Sequence, residues 1–157
     1  MVTGQITEAE FIAAHQLHRG KVAYVTRVTA LIAASVGLIL FFAVSKQYGL
    51  ILLLGGIGGL LGELAQSQLF LPFRLRRLYA QVKGRTDITY SWNSATLSLK
   101  SALGNAERPW TGFHKAKESD KVFLLYFNDA IFEIVSKRWF QTPEQVNDFR
   151  QNLKVVE

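Results

Sequence analysis

The chain has 157 residues, of which 18 are basic and 12 acidic, and 49% of it is hydrophobic. The 46 residues from Val28 to Phe73 contain only two charges, Lys46 and Glu63, while the other 111 carry 28, a contrast that excludes a purely soluble single domain. The absence of cysteine excludes disulfides, zinc-thiolate sites and thiol catalysis.

The net charge of +6 is local. Arg74, Arg76, Arg77, Lys83 and Arg85 form a collar with no acid among them, whereas residues 86–157 hold nine groups of each sign. A nucleic-acid groove would need its excess on the folded domain. Basic residues directly after an apolar segment instead follow the positive-inside pattern. Membrane lipids are therefore an expected partner and nucleic acid is not.

In chain order, residues 1–27 begin with a capping box. Thr7 is the N-cap, Glu10 stands three residues on, and Ile6 and Phe11 are spaced as a hydrophobic staple. The helix so started is expected to lie at the membrane interface or to run directly into the first span. His15 and His18 share one face of it, but with no third ligand nearby they read as interfacial histidines and not as a metal site.

Val28 to Ser45 gives 18 uncharged residues, about 27 Å of helix and close to the hydrocarbon thickness. The link Ser45-Lys46-Gln47-Tyr48 allows only a tight antiparallel hairpin into a second span over about 48–71. Pro72 is expected to end or kink that second helix. With the collar after it, both termini are expected in the cytoplasm.

On the second helix Gly55, Gly56, Gly59, Gly62, Glu63, Gln66 and Ser67 fall in one sector, with leucines opposite. Gly55-x-x-x-Gly59 and Gly58-x-x-x-Gly62 read as a packing seam, with Ala30, Ala34 and Gly37 of the first span as partners, within the hairpin or between subunits of a homo-oligomer. Glu63 is the ionisable group of the spans, flanked by Gln66 and Ser67 as its polar company. Its expected role is structural, since a two-helix chain has little material for an ion or proton conduit. Residues 74–85 then read as a basic juxtamembrane linker.

From Thr86 the period changes to two. Asp87 to Trp92 and Thr96 to Lys100 read as paired strands, Ala106 to Trp110 and Gly112 to Lys117 as shorter ones. Val122 to Phe127, apolar on both faces, reads as a central strand. Asn128-Asp129 is expected to make a two-residue turn into Ala130 to Val135. Thr142-Pro143-Glu144-Gln145 starts a closing helix with Val146, Phe149 and Leu153 on its buried stripe. The fold class is thus a membrane α-helical hairpin plus a small α+β domain over 86–157, an antiparallel roll of five or six strands closed by a C-terminal helix.

Trp110, Phe113, Lys117-Glu118, Phe123-Leu124-Leu125-Tyr126, Ile134 to Phe140 and the helix from Glu144 to Leu153, all following two spans, resemble the YcxB-like family of bacterial membrane proteins. The resemblance implies a pleckstrin-homology-like cytoplasmic domain on an inner-membrane protein and no established activity. Family members often have proline where this chain has Ser136.

Chemistry is thin. There is no phosphate loop of the required spacing and no Ser, His and Asp set, and His114 stands alone, so neither an enzyme nor a cofactor is expected. Lys115, Lys117, Lys137 and Arg138 are candidates for a lipid headgroup or a partner, together with Arg74, Arg76 and Arg77. Because Glu118, Asp120 and Glu133 sit among the domain's basic residues, a solvated mixed-charge surface is the favoured reading. The expected function is a membrane-anchored binding or assembly module. The alternative is a membrane immunity or accessory protein that binds a toxin or transport component through its second helix.

Overall fold

A computed structural model describes residues 1–82, 87–102 and 104–153. Lys83, Arg85 and Thr86, expected at the end of the collar and the start of the domain, lie outside the described residues. The chain forms two compact units, Met1–His18 with Leu78–Glu157, and Arg19–Arg77.

In the first unit, β1 (Val2–Gly4), β2 (Ile88–Trp92), β3 (Thr96–Ser101) and β4 (Gly104–Pro109) make one antiparallel sheet in that order. β5 (Lys115–Glu118), β6 (Val122–Tyr126) and β7 (Phe132–Ser136) make a second, and α4 (Pro143–Leu153) closes the unit. The result is a small α+β domain. It has seven described strands where the sequence suggested five or six. The added one, β1, comes from before the hairpin and pairs Val2 with Tyr90. Residues 1–18, read above with the interfacial segment, therefore pack into the α+β unit.

Alternation sorts the core. Tyr90 pairs with Leu99 and Trp92 with Leu97 across β2 and β3, and Tyr90 and Leu97 are buried with Phe123, Leu125, Val135 and Phe149. Phe149, on the inward stripe of α4, meets the rings of Trp92, Phe123, Phe140 and Trp110 at 5.0, 5.1, 5.4 and 5.5 Å. A fully buried ring of this kind stabilises by about 1.5–3 kcal/mol. β6 is buried along its whole length. Phe123 and Leu125 face this core, while Val122, Leu124 and Tyr126 face Ala14 and Leu17, which lie on α1 (Glu8–Ala43).

The turn after β6 differs from the expected two-residue hairpin. Tyr126 pairs with Phe132, and the Phe127 amide donates to the Ile131 carbonyl at 2.9 Å. Asn128 Oδ1 accepts from the amides of Ala130 and Ile131 at 2.9 and 2.8 Å. This side-chain turn holds a longer loop and moves the start of β7 from Ala130 to Phe132.

The second unit is the helix pair. α1 is unbroken over its 36 residues, so the capped N-terminal segment runs directly into the apolar one. After Val44 and Ser45 come α2 (Lys46–Ala65), a π-helical turn (Gln66–Phe70) and α3 (Leu71–Val82). Pro72 does not end the helix. The Leu71 amide donates to the Gln66 carbonyl, five residues back, and this wider turn makes room for a proline ring that would crowd a regular α-turn. Two helices are long and apolar enough to cross a membrane, Glu8–Ala43 and Lys46–Gln81. Large apolar side chains of the spans stand on the outside: Leu31, Ile39, Phe42, Ile51, Leu54 and Leu61 are each more than half exposed, as lipid-facing side chains would be.

Candidate functional site

The helix pair is fixed by glycine. A Cβ on Gly56 would fall 2.5 Å from the Ala34 nitrogen and 2.7 Å from the Ala30 carbonyl oxygen. One on Gly49 would fall 2.2 Å from the Phe41 nitrogen, and one on Gly37 would fall 2.4 Å from the Leu53 nitrogen. The expected partners Ala30, Ala34 and Gly37 all lie in the seam. On α2, however, the seam runs through Gly49 and Gly56 with Glu63 next, a step of seven residues, as helices wound with a slight left-handed twist require. Gly59 makes only an ordinary 3.4 Å contact with Ala30, while Gly55 and Gly62 have nothing within 4 Å and take no part.

The same register sets the position of Glu63. Phe41 lies beside Gly49, Ala34 beside Gly56 and Arg27 beside Glu63. Glu63 is buried, and Arg27 Nη2 donates to its carboxylate at 3.3 Å and to Ser67 Oγ at 3.3 Å. Arg27 immediately precedes Val28, so Glu63 is level with the start of the first apolar segment and not with its middle. Ser67 reaches it only through Arg27, and Gln66 points elsewhere: it lines a cavity of about 390 Å³ with Arg19, Gly62, Phe70, Leu71 and Arg74. Sequence reasoning missed both Arg27 and Arg19, because each lies outside the apolar segment and its partner helix is known only from the register.

Arg74 is thereby separated from its collar neighbours. Arg77 lies 5.0 Å over the Phe73 ring, and Arg76 is exposed.

The four basic candidates of the α+β unit do not converge on one open pocket. Lys115 pairs with Asp129 and lies 4.9 Å over the Tyr126 ring. Lys117 donates to the carbonyls of Leu17 and His18 at 3.5 and 3.4 Å. Lys137 pairs with Glu118, which also accepts two bonds from Arg150 at 2.9 and 2.6 Å. The Arg150 guanidinium first, and then Lys137, hold the Glu118 carboxyl down to about 2 against the opposing effect of burial. The Lys115 ammonium keeps Asp129 below its usual range.

Arg138 belongs to a network anchored at the N-terminus. Its Nε donates to Glu10 at 3.1 Å and its Nη2 to the Gln5 carbonyl at 3.0 Å. Ser136 Oγ donates to the same Glu10 oxygen at 2.5 Å while accepting from the Arg138 amide at 3.2 Å. A proline at 136 could make neither side-chain bond. The capping box supplies the rest, with the Thr7 amide donating to Glu10 at 2.8 Å and the Glu10 amide to Thr7 Oγ1 at 3.3 Å.

Between the two sheets lies a cavity of about 220 Å³, walled by Leu97, Leu99, Phe113 and Phe127 and carrying Arg108, Tyr90 and Glu133. The Tyr90 hydroxyl donates to Glu133 at 2.5 Å, and burial first, then the Glu133 charge, pushes its ionisation far above the usual range. His15 and His18 serve packing: His18 Nδ1 is 3.1 Å from the Tyr126 hydroxyl, and both rings lie against Phe132. Among the described residues no group of three or more His, Cys, Asp or Glu side chains could hold a metal ion.

Residues 87–153 match the family model described as YcxB-like protein, the family whose motifs were noted in the sequence. No curated protein and no solved structure matches the chain.

Proposed function

We propose, with the YcxB-like character of residues 87–153 as premise, that this chain is a two-pass inner-membrane protein whose α+β domain is a cytoplasmic binding module. The four-plus-three strand arrangement closed by α4 supports a pleckstrin-homology-like reading of that domain. Two crossings would return the chain to the side it left, which fits a unit assembled from both ends of the sequence, and the basic collar favours the cytoplasmic side.

The observation that carries the binding reading is the cavity between the sheets. Apolar walls with a few convergent polar groups are the usual form of a small-molecule site. Here Tyr90, Glu133 and Arg108 would orient the polar end of a small, mainly apolar molecule. The test is mass spectrometry of material retained by the full chain purified in mild detergent. Ala106 lines the cavity and is exposed on β4, so Ala106→Trp should fill the space without disturbing the core. A small molecule held by the native chain and lost from the variant supports the reading. Equal retention by both sinks it.

A second reading, an immunity or accessory protein engaging a partner through its second helix, is favoured by Gly55, Gly58 and Gly62. These leave a small-residue face that the hairpin itself does not use. Gly55→Ile should abolish co-purification of such a partner while leaving the helix pair folded.

A further inference from the structure

We propose that Arg19, Gln66 and Arg74 form a binding site for a phosphate oxyanion, supplied by a phospholipid headgroup at the end of the paired helices. It rests on the reading that these helices cross a bilayer, but not on the cavity in the α+β domain.

Arg19 comes from α1 and Arg74 from α3, and both line the same cavity of about 390 Å³ with no acidic residue in its lining. Among the described residues neither guanidinium has a hydrogen-bond or ion-pair partner. The contrast within the chain is direct, since Arg27, Arg138 and Arg150 each hold a carboxylate. Two like charges facing one space repel each other. An oxyanion between them turns that repulsion into charge-assisted hydrogen bonds, and the planar fork of arginine matches phosphate geometry better than a lysine ammonium would.

The other walls favour an ester over a free anion. Gln66 brings an amide N–H for an ester oxygen, and Gly62, which has no neighbour within 4 Å of its Cβ position, leaves space beside it. Phe70 and Leu71 line the cavity, and Leu69 and Phe73, their neighbours in sequence, are exposed apolar residues available to the glycerol and upper acyl chain. The site lies beyond the Arg27–Glu63 pair, away from the apolar turn of the hairpin, where the helix register puts polar and apolar residues side by side. With these helices across a bilayer, such a polar and apolar border would meet the phosphates of a leaflet.

The experiment is native mass spectrometry of the full chain in mild detergent, titrated separately with phosphatidylglycerol, phosphatidylcholine and inorganic phosphate. The expected result is one tightly held phosphatidylglycerol per chain. In the Arg19→Gln, Arg74→Gln double variant its affinity should fall by about tenfold or more, as the loss of hydrogen bonds to a charged group implies. Arg77→Gln removes the same kind of charge one turn from Arg74 but outside the cavity, and should bind normally. The Arg19→Lys, Arg74→Lys variant keeps both charges and the fold, and should bind with intermediate affinity.

Inorganic phosphate held as tightly as the lipid would support the oxyanion site and assign it to a soluble source. Equal loss in Arg77→Gln and the double variant would overturn the site in favour of diffuse attraction by the collar. Full binding by the double variant would overturn it outright. A reporter at either terminus showing periplasmic activity would refute the topology on which the cytoplasmic module rests, while leaving the titration interpretable.

Discussion

Among the described residues each of the two units buries one glutamate beside an arginine, and the two are built very differently. Glu10 in the α+β unit receives the Thr7 amide, the Ser136 hydroxyl and the Arg138 guanidinium at 2.8, 2.5 and 3.1 Å. Glu63 in the helix pair receives one guanidinium nitrogen at 3.3 Å, from an Arg27 side chain that is 44% exposed. The first is a junction where the start of a helix, the end of a strand and a turn are tied together. The second is a charge placed where the helix pair meets polar surroundings, with packing supplied by the glycines above it. A buried carboxylate therefore contributes according to how many donors it would leave behind, and its burial alone does not measure its role.

The largest expected effect follows from the Glu10 side of that contrast. Glu10→Ala strands three donors and removes half of the capping box, and should destabilise the α+β unit by about 3 kcal/mol. Trp92, Trp110 and Trp139 all lie in this unit, so tryptophan fluorescence during urea unfolding reports it selectively. A loss under about 1 kcal/mol would remove the distinction between the two glutamates.

The next effect tests whether the helix pair rests on glycine instead. Gly56→Ile forces a side chain into the Ala34 backbone and should cost about 2 kcal/mol or more, seen as a lower melting temperature of the far-ultraviolet helical signal in detergent. Gly55→Ile, one residue away and facing outward, should leave that temperature unchanged. Equal effects would mean that the seam is not where the register puts it.

Glu63→Gln is expected to be milder, within about 1 kcal/mol, because the partner is half in solvent and the single contact is long. The helical melting temperature should move by only a few degrees. A collapse of the helix pair would make Glu63 the equal of Glu10.

What could be read from the sequence follows the same division between local and distant causes. The capping box was legible because Thr7 and Glu10 are three residues apart, while Ser136 and Arg138, 126 and 128 residues from Glu10, were not. The apolar β6 announced itself by composition, but its second face is covered by Ala14 and Leu17, which no period in residues 86–157 could reveal. β1 spans three residues, too few to show alternation. On the second helix the small and polar face was plain, with Gly56 and Glu63 on it. That face is wider than a contact, however, and because one residue turns a helix by about 100°, the packed line runs along its Gly56 edge and not through Gly55. Arg19 carried no signal at all, since it joins Arg74 only when two helices pair.

The smallest effect concerns a third carboxylate, Glu118, which is neither buried like Glu10 nor in the helix pair like Glu63. Arg150 of α4 holds it through two bonds and Lys137, after β7, through a third, so it ties the last helix to the second sheet from the surface. These partners lower its folded value to about 2 from an ordinary 4.5. A group lowered on folding stabilises fully above its unfolded value and loses that contribution as pH falls through the folded one. The window is therefore from about pH 4.5 down to about pH 2. Solvent reaches this carboxylate, its side chain being 32% exposed, so the contribution is reduced by screening and should shrink further with added salt. Glu118→Gln should lower the unfolding midpoint reported by tryptophan fluorescence modestly at pH 7, where the contribution is fully present, and the difference from the native chain should shrink as pH falls through that window. An unchanged slope would move the acid sensitivity of the unit to its other lowered carboxylates: Asp129 beside Lys115, and Glu10, where the opposing effect of burial is outweighed by Arg138 and Ser136, which hold it below its usual range.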